Sequence, residues 1–152
     1  MTQVTIYEKY GGYDFFHKII YELYLELFDH IEISYHFIGV DIERLSNLQA
    51  QYLCEAIGGP KMYQGRNIAV VHKYLRVTDY EFDTVATRFA EIFKNNGLND
   101  DEVKFIMNFI KSKQPVVVTA KNTLMDRIAR YLYKRIKKIK GFLKKLRSAF
   151  KF

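Results

Sequence analysis

Apolar residues along most of this chain recur at every third or fourth position, the spacing of a helix with one buried face. The pattern is clearest between Tyr13 and Phe28, and it returns in later segments that begin near Asp41, Asp79 and Asn99. No segment of useful length alternates apolar and polar residues with the period of two that marks a strand. The spacing therefore predicts an all-α fold.

Glycine, proline and capping residues mark the ends of these helices. Gly11-Gly12 separates a short first helix from the second, and Gly58-Gly59-Pro60 ends the helix for which Asp41 is the predicted N-cap. The irregular stretch between the second and third helices is predicted to be a connector that contains Phe37. Pro115 interrupts the helical pattern before the C-terminal segment.

The charge of +7 on the 152 residues is unevenly distributed. Up to Thr119 the chain has 12 basic and 16 acidic residues, a net charge of −4, whereas from Ala120 onwards 12 basic residues face one acid, a net charge of +11. We therefore predict a globular domain over residues 1–119 and a cationic segment over residues 120–152. Because the basic character belongs to that segment alone, it does not indicate a nucleic-acid-binding protein, and we expect no nucleic-acid partner.

Cysteine usage and hydropathy limit the cellular setting. Cys54 is the single cysteine, which excludes a disulfide within the chain and favours a reducing compartment. No window reaches the roughly 18 apolar residues that a membrane span needs, and the first residues lack the pattern of a secretory signal. We expect a cytoplasmic protein that is at most attached to the inner face of a membrane.

The side chains that suggest chemistry are one histidine and two polar residues on apolar faces. His72 lies on the same helical face as Ile68, while Tyr24 and Gln49 place polar tips on apolar stripes of two different helices. A histidine opposite a tyrosine–glutamine pair suits a metal that holds a diatomic ligand. The alternative is an ordinary buried histidine with its own hydrogen-bond partner. We interpret the other histidines, His17, His30 and His36, as solvated or capping residues, and no zinc spacing or phosphate loop is present.

Several short motifs, in their order and spacing, carry a family resemblance. They are Ile6-Tyr7-Glu8-Lys9 with Gly11-Gly12, then Leu23-Tyr24, Phe37, Gln49, Gly58-Gly59-Pro60, Tyr63 with Gly65-Arg66, and finally His72. Over about residues 4–118 the chain resembles a group I truncated haemoglobin, a small globin with a two-over-two helical sandwich. The segment beyond Thr119 lies outside the resemblance.

The resemblance implies a pocket for haem b and a role for each residue around it. His72 would be the proximal iron ligand, and Tyr24 and Gln49 would donate hydrogen bonds to the bound gas. Leu45 matches the position where many globins place a distal histidine, so hydrogen bonding falls to that pair. The residues expected to pack on haem are Phe37, Leu45, Leu53, Ile68, Phe82 and Val85, and those expected near its propionates are Arg44, Tyr63 and Arg66. Each of these has an ordinary core or surface role as the alternative.

The function that the resemblance implies is dioxygen binding, with conversion of nitric oxide to nitrate as the accompanying activity. Turnover would require a separate reductase, because the chain has no flavin or nicotinamide domain. Two alternatives stay open: a gas sensor or transport protein without turnover, and a haem-free helical module that acts through its C-terminal segment.

The cationic segment has the pattern of a basic amphipathic helix. Basic residues lie mostly opposite an apolar stripe, although Arg135 interrupts that stripe. The pattern is typical of a helix that lies on an anionic membrane surface. Packing on the acidic globule and pairing with a second copy are the alternatives. The residues predicted to contact the membrane are Leu132, Ile136, Ile139, Phe142, Leu143, Leu146 and Phe150.

Overall fold

The computed structural model describes residues 4–121 and 123–149, although some side chains after residue 124 are not described. Helices α1–α8 span Ile6–Lys9, Tyr13–Asp29, Ile42–Ala56, Ile68–His72, Asp79–Asn95, Asp100–Lys111, Gln114–Val117 and Leu124–Ala149. A 3₁₀ helix, Ser34–Phe37, lies in the predicted connector between α2 and α3. The described residues contain no strand, which confirms the predicted all-α class.

The globular part consists of two packed helix pairs. Helix α2 packs mainly on α3, α5 packs mainly on α6, and α2 also contacts α5. This is the two-over-two arrangement that the sequence resemblance implies. The apolar stripes predicted from helical spacing face the interior, and the fully buried large side chains include Phe16, Ile19, Leu23, Phe93 and Ile106.

The helix starts follow ordinary capping chemistry. The predicted N-cap is confirmed, because the Asp41 carboxylate accepts a hydrogen bond from the Arg44 N–H at 3.1 Å. Helix α5 begins at Asp79, as the spacing predicts, and its start is closed by a reciprocal capping box between Thr78 and Glu81 that the sequence analysis did not identify. Gly58 at the end of α3 has a φ of 95°. A Cβ there would lie 2.6 Å from the Thr5 side chain, so this corner requires glycine.

The segment after α6 forms the short helix α7 and attaches the C-terminal segment to the globular part. Pro115 lies in the first turn of α7, a position where its missing N–H costs no hydrogen bond, and α7 packs on α4. The N–H groups of Thr119 and Ala120 then donate to the Val77 carbonyl at 2.9 and 3.1 Å. The root of the C-terminal segment is thereby attached to the globular part beside α4. Among the described residues, no helix is both long and apolar enough to cross a bilayer.

Candidate functional site

A cavity of about 740 Å³ lies between the two helix pairs, a size that is ordinary for a cofactor site. Helices α2, α3, α4 and α5 and the connector around Phe37 all contribute to its wall. Every residue predicted for a haem pocket lines this one cavity. They are Tyr24, Phe37, Arg44, Leu45, Gln49, Leu53, Tyr63, Arg66, Ile68, His72, Phe82 and Val85.

His72 stands at the end of the short helix α4 with one ring nitrogen already engaged. Its Nδ1 lies 2.8 Å from the Ile68 carbonyl oxygen, which accepts only if the hydrogen is on Nδ1. Burial lowers the pKa of the His72 imidazole more than the Ile68 carbonyl raises it, which favours the neutral ring. The neutral tautomer leaves the Nε2 lone pair for a metal, the arrangement typical of a histidine ligand.

Tyr24 and Gln49 provide the polar groups on the α2–α3 side of the same cavity. Tyr24 is 7% exposed, and burial raises the pKa of its phenol, so the hydroxyl keeps its proton. Within the described part of the chain, neither the Tyr24 hydroxyl nor the Gln49 amide forms a hydrogen bond with another protein group. Gln49 is only half-buried, and both residues line the cavity. Donors that line a cavity and have no protein partner are available to a ligand that accepts hydrogen bonds.

Phe37 is held in place by two aromatic neighbours. Its ring stacks on Phe28 with centroids 4.9 Å apart and meets Tyr24 edge to face at 5.8 Å. The 3₁₀ helix therefore fixes one apolar wall of the cavity and packs against the tyrosine at the same time.

The rim of the cavity carries the cationic groups. Arg44 and Arg66 line it as predicted, and Lys113 joins them from the segment before α7, a residue that the sequence reading missed. The Tyr63 hydroxyl donates to the Arg66 carbonyl at 2.7 Å, so its hydrogen is committed to the loop itself. Glu55 accepts hydrogen bonds from the N–H groups of Met62 and Tyr63, which fixes this loop on α3.

Beside the cavity lies a buried polar cluster, and the sequence analysis did not predict this cluster. The carboxylate of Glu81, 1% exposed, accepts hydrogen bonds from Tyr35 and Thr78, and its Oε2 lies 3.5 Å from His36 Nε2. The interpretation of His36 as a solvated or capping residue is wrong, since its side chain is 9% exposed and lines the cavity. The sequence signal for this cluster is weak. Thr78 and Glu81 have the spacing of a capping box, which does not show that the carboxylate of Glu81 is also buried.

This cluster predicts a specific loss of stability in acid. Burial alone raises the pKa of Glu81, but His36, Tyr35 and Thr78 outweigh it and lower the pKa from 4.5 to about 2. A carboxylate whose pKa is lowered on folding stabilises the protein above its unfolded pKa and loses that effect as the pH falls through the folded value. We expect roughly 3 kcal/mol of stability to disappear between about pH 5 and pH 2.

Urea unfolding at a series of pH values checks this expectation. Glu81→Gln removes the charge and should flatten the acid limb of the stability profile, at the cost of stability near neutral pH. Glu91→Gln on the same helix is the matched control, because Glu91 forms only an exposed pair with Arg88. Equal acid limbs in the two variants would contradict the assignment.

The residues present fit an iron porphyrin better than a bare metal ion. No group of three or more histidine, cysteine, aspartate or glutamate side chains with metal-site geometry occurs in residues 4–121 and 123–149. Two imidazoles line this large, mostly apolar cavity with cations at its rim. The Nε2 of His36 lies beside the Glu81 carboxylate, so His72 is the residue that offers a nitrogen ligand. One axial ligand, a flat apolar slot and cations for two carboxylates are what haem requires of a protein.

Comparison with known proteins agrees with this geometry. A family model described as bacterial-like globin matches residues 5–119. The group 1 truncated haemoglobin GlbN of Mycolicibacterium paratuberculosis is 26% identical over 115 residues, which cover 76% of this chain and 85% of that protein. The group 1 truncated haemoglobin of Tetrahymena thermophila is 28% identical over 98 residues, 64% of this chain and 81% of that protein.

Among solved structures, the truncated haemoglobin of Tetrahymena pyriformis in its Fe(III) form has the same fold. Its TM-score is 0.70 at 24% identity, and the match covers 75% of this chain and 97% of that one. The fold and the site thus define a truncated globin. The chain belongs to the bacterial-like globin family, whose membership implies haem-based binding of diatomic gases.

Proposed function

We propose that this protein holds haem b in the 740 Å³ cavity through His72 and binds dioxygen there. The observation that carries the proposal is that two kinds of side chain line one cavity. Helix α4 supplies a neutral imidazole whose Nδ1 is already engaged, and α2 and α3 supply two donors that make no hydrogen bond within the described protein.

Each residue of the pocket then has a physical task. The Ile68 carbonyl orients the His72 ring through Nδ1, which leaves Nε2 as the atom that would hold the iron. Tyr24 and Gln49 donate hydrogen bonds to the gas, and donors fixed in a pocket of low dielectric act more strongly than they would in water. Phe37 and the apolar residues Leu45, Leu53, Ile68, Phe82 and Val85 exclude water from the ring, while Arg44 and Arg66 face the propionates.

We further propose that the protein detoxifies nitric oxide. When bound, haem would supply a redox-active iron for the reaction of dioxygen with nitric oxide, which gives nitrate and takes one electron from the iron. Each turnover therefore needs one electron from a separate reductase. We place this chemistry in the cytoplasm at the inner face of a membrane, where the basic C-terminal helix meets anionic lipid.

Rapid mixing of the oxygenated protein with nitric oxide tests the activity. Stoichiometric nitrate with conversion of the optical spectrum to the ferric form is the expected result. Release of intact dioxygen without nitrate would leave the protein as a gas sensor or carrier and remove the detoxification proposal. A trace with the carbon monoxide complex serves as the control, since no nitrate can form from it.

A further inference from the structure

Helix α8 presents a continuous apolar face to solvent. Nine apolar side chains of this helix between residues 124 and 143 are 43% to 72% exposed. They are Leu124, Met125, Ile128, Tyr131, Leu132, Ile136, Ile139, Phe142 and Leu143. At the angular step of an α-helix these positions share one side, which we call the α8 apolar face. The side chain of Leu146 and the whole of Phe150, also predicted to contact a membrane, lie outside the described residues.

The rest of the described protein does not cover this face. The principal helix contacts join α2 to α3, α5 to α6 and α4 to α7, and none of them includes α8. Exposure of so much contiguous apolar surface is costly in water, and it marks an interaction site when a partner covers it. The alternative in which the stripe packs back on the acidic globule is not the arrangement observed.

Cationic side chains border the α8 apolar face on both sides. At helical spacing Arg127 and Lys138 fall along one border and Lys140 along the other, and all three are exposed. Long basic side chains at such borders place their aliphatic stems on the apolar side and their charges at the level of lipid headgroups.

Arg135, which interrupts the apolar stripe in the sequence, is paired in the structure. Its guanidinium donates to the Tyr131 hydroxyl at 3.2 Å and lies 5.7 Å from the centre of that ring. The pair joins a cation to an amphipathic ring, and tyrosine is a residue enriched at the boundary between lipid and water. The interruption therefore suits an interfacial helix better than a dry helix–helix contact.

We propose that α8 lies in the plane of an anionic bilayer surface, with its apolar face among the acyl chains and its bordering cations at the phosphates. A second copy is disfavoured as the occupant, because joining two apolar faces would bring the cationic borders of two +11 segments together. The inference deepens the proposed membrane location and does not depend on haem. Because the N–H groups of Thr119 and Ala120 are hydrogen-bonded to the Val77 carbonyl, only a few residues separate the globin from the bilayer surface.

Co-sedimentation of the full chain with vesicles of phosphatidylglycerol and phosphatidylcholine tests the proposal. We expect binding to these vesicles, little binding to phosphatidylcholine alone, and weakening by salt. Ile139→Asp should weaken binding by about tenfold or more, because it buries a charge in the apolar face. Ile38→Asp is the matched control, since Ile38 is 82% exposed and follows the 3₁₀ helix of the globin part.

A second pair of variants separates charge from apolar contact. Lys140→Glu should lower the affinity for anionic vesicles, whereas Lys104→Glu, the same change on exposed globin surface, should not. Loss of affinity in the α8 variants with an unchanged haem spectrum supports the proposal independently of gas chemistry. Equal binding by Ile139→Asp and Ile38→Asp, concentration-dependent dimerisation without vesicle binding, or capture of nucleic acid in preference to vesicles would each overturn it.

Discussion

Replacement of His72 by alanine is expected to abolish haem retention. The Ile68 carbonyl engages the His72 Nδ1 and burial lowers the pKa of the ring, which leaves the Nε2 lone pair for iron. His36 also lines the cavity, but its Nε2 lies 3.5 Å from the Glu81 carboxylate. Without an axial ligand the porphyrin keeps only apolar contacts and rim cations. The Soret band of protein purified with ample haem should therefore fall to a small fraction of its normal intensity.

The loss of haem in His72→Ala should result from the missing nitrogen ligand and not from misfolding, and two further variants separate these two causes. His17→Ala is the matched control, since His17 is a half-buried histidine of α2 that stacks on Tyr13 and does not line the cavity. His72→Gly supplied with free imidazole should regain a haem spectrum, because the small ligand occupies the space of the lost ring. A full Soret band in His72→Ala would instead remove the proximal assignment and leave the haem-free module as the better reading.

Replacement of Tyr24 by phenylalanine is expected to accelerate dioxygen dissociation on the order of tenfold to a hundredfold. Dioxygen draws electron density from the iron when it binds and becomes a strong hydrogen-bond acceptor, whereas carbon monoxide stays nearly neutral. The Tyr24 hydroxyl keeps its proton and makes no hydrogen bond within the described protein, so it is ready to donate. Stopped-flow displacement should show a much smaller change for carbon monoxide.

Tyr21→Phe provides the comparison, because Tyr21 lies on the same helix but does not line the cavity. Gln49→Leu should act in the same direction as Tyr24→Phe, and the double variant shows whether the two donors share one acceptor. Equal acceleration of both gases in Tyr24→Phe would mean that the ring acts by filling space, and the hydrogen-bond assignment would fail.

The polar cluster around Glu81 is a part of the site that could not be predicted from the sequence. Helical spacing identified α5 and its inward apolar residues, but a buried carboxylate gives no periodic signal that separates it from a solvated one. Its partners Tyr35 and His36 come from a connector 40 or more residues earlier in the chain. Only the packing of the 3₁₀ helix on the start of α5 joins them.

The haem-pocket residues show the opposite case. Spacing within α2, α3 and α4 placed Tyr24, Gln49 and His72 on inward faces, and the structure brings all three to one cavity. The family assignment and the all-α fold are confirmed, while the individual roles and the domain boundary at residue 119 stay predictions. Lys113 was missed because a lysine two residues before a proline carries no local sign of facing a pocket.

The local pattern of residues in the sequence was enough to determine the helices, their buried faces, the change of net charge after Thr119 and the family. These properties depend on neighbours three or four residues apart, which a sequence displays directly. Tertiary packing alone decided that the Tyr63 hydroxyl is taken by the Arg66 carbonyl, that Glu81 is buried among donors, and that the α8 apolar face is uncovered. Those outcomes depend on groups that come into contact only in the folded chain. The strength of a hydrogen bond and the cost of burying a charge change only after folding removes water from around these groups.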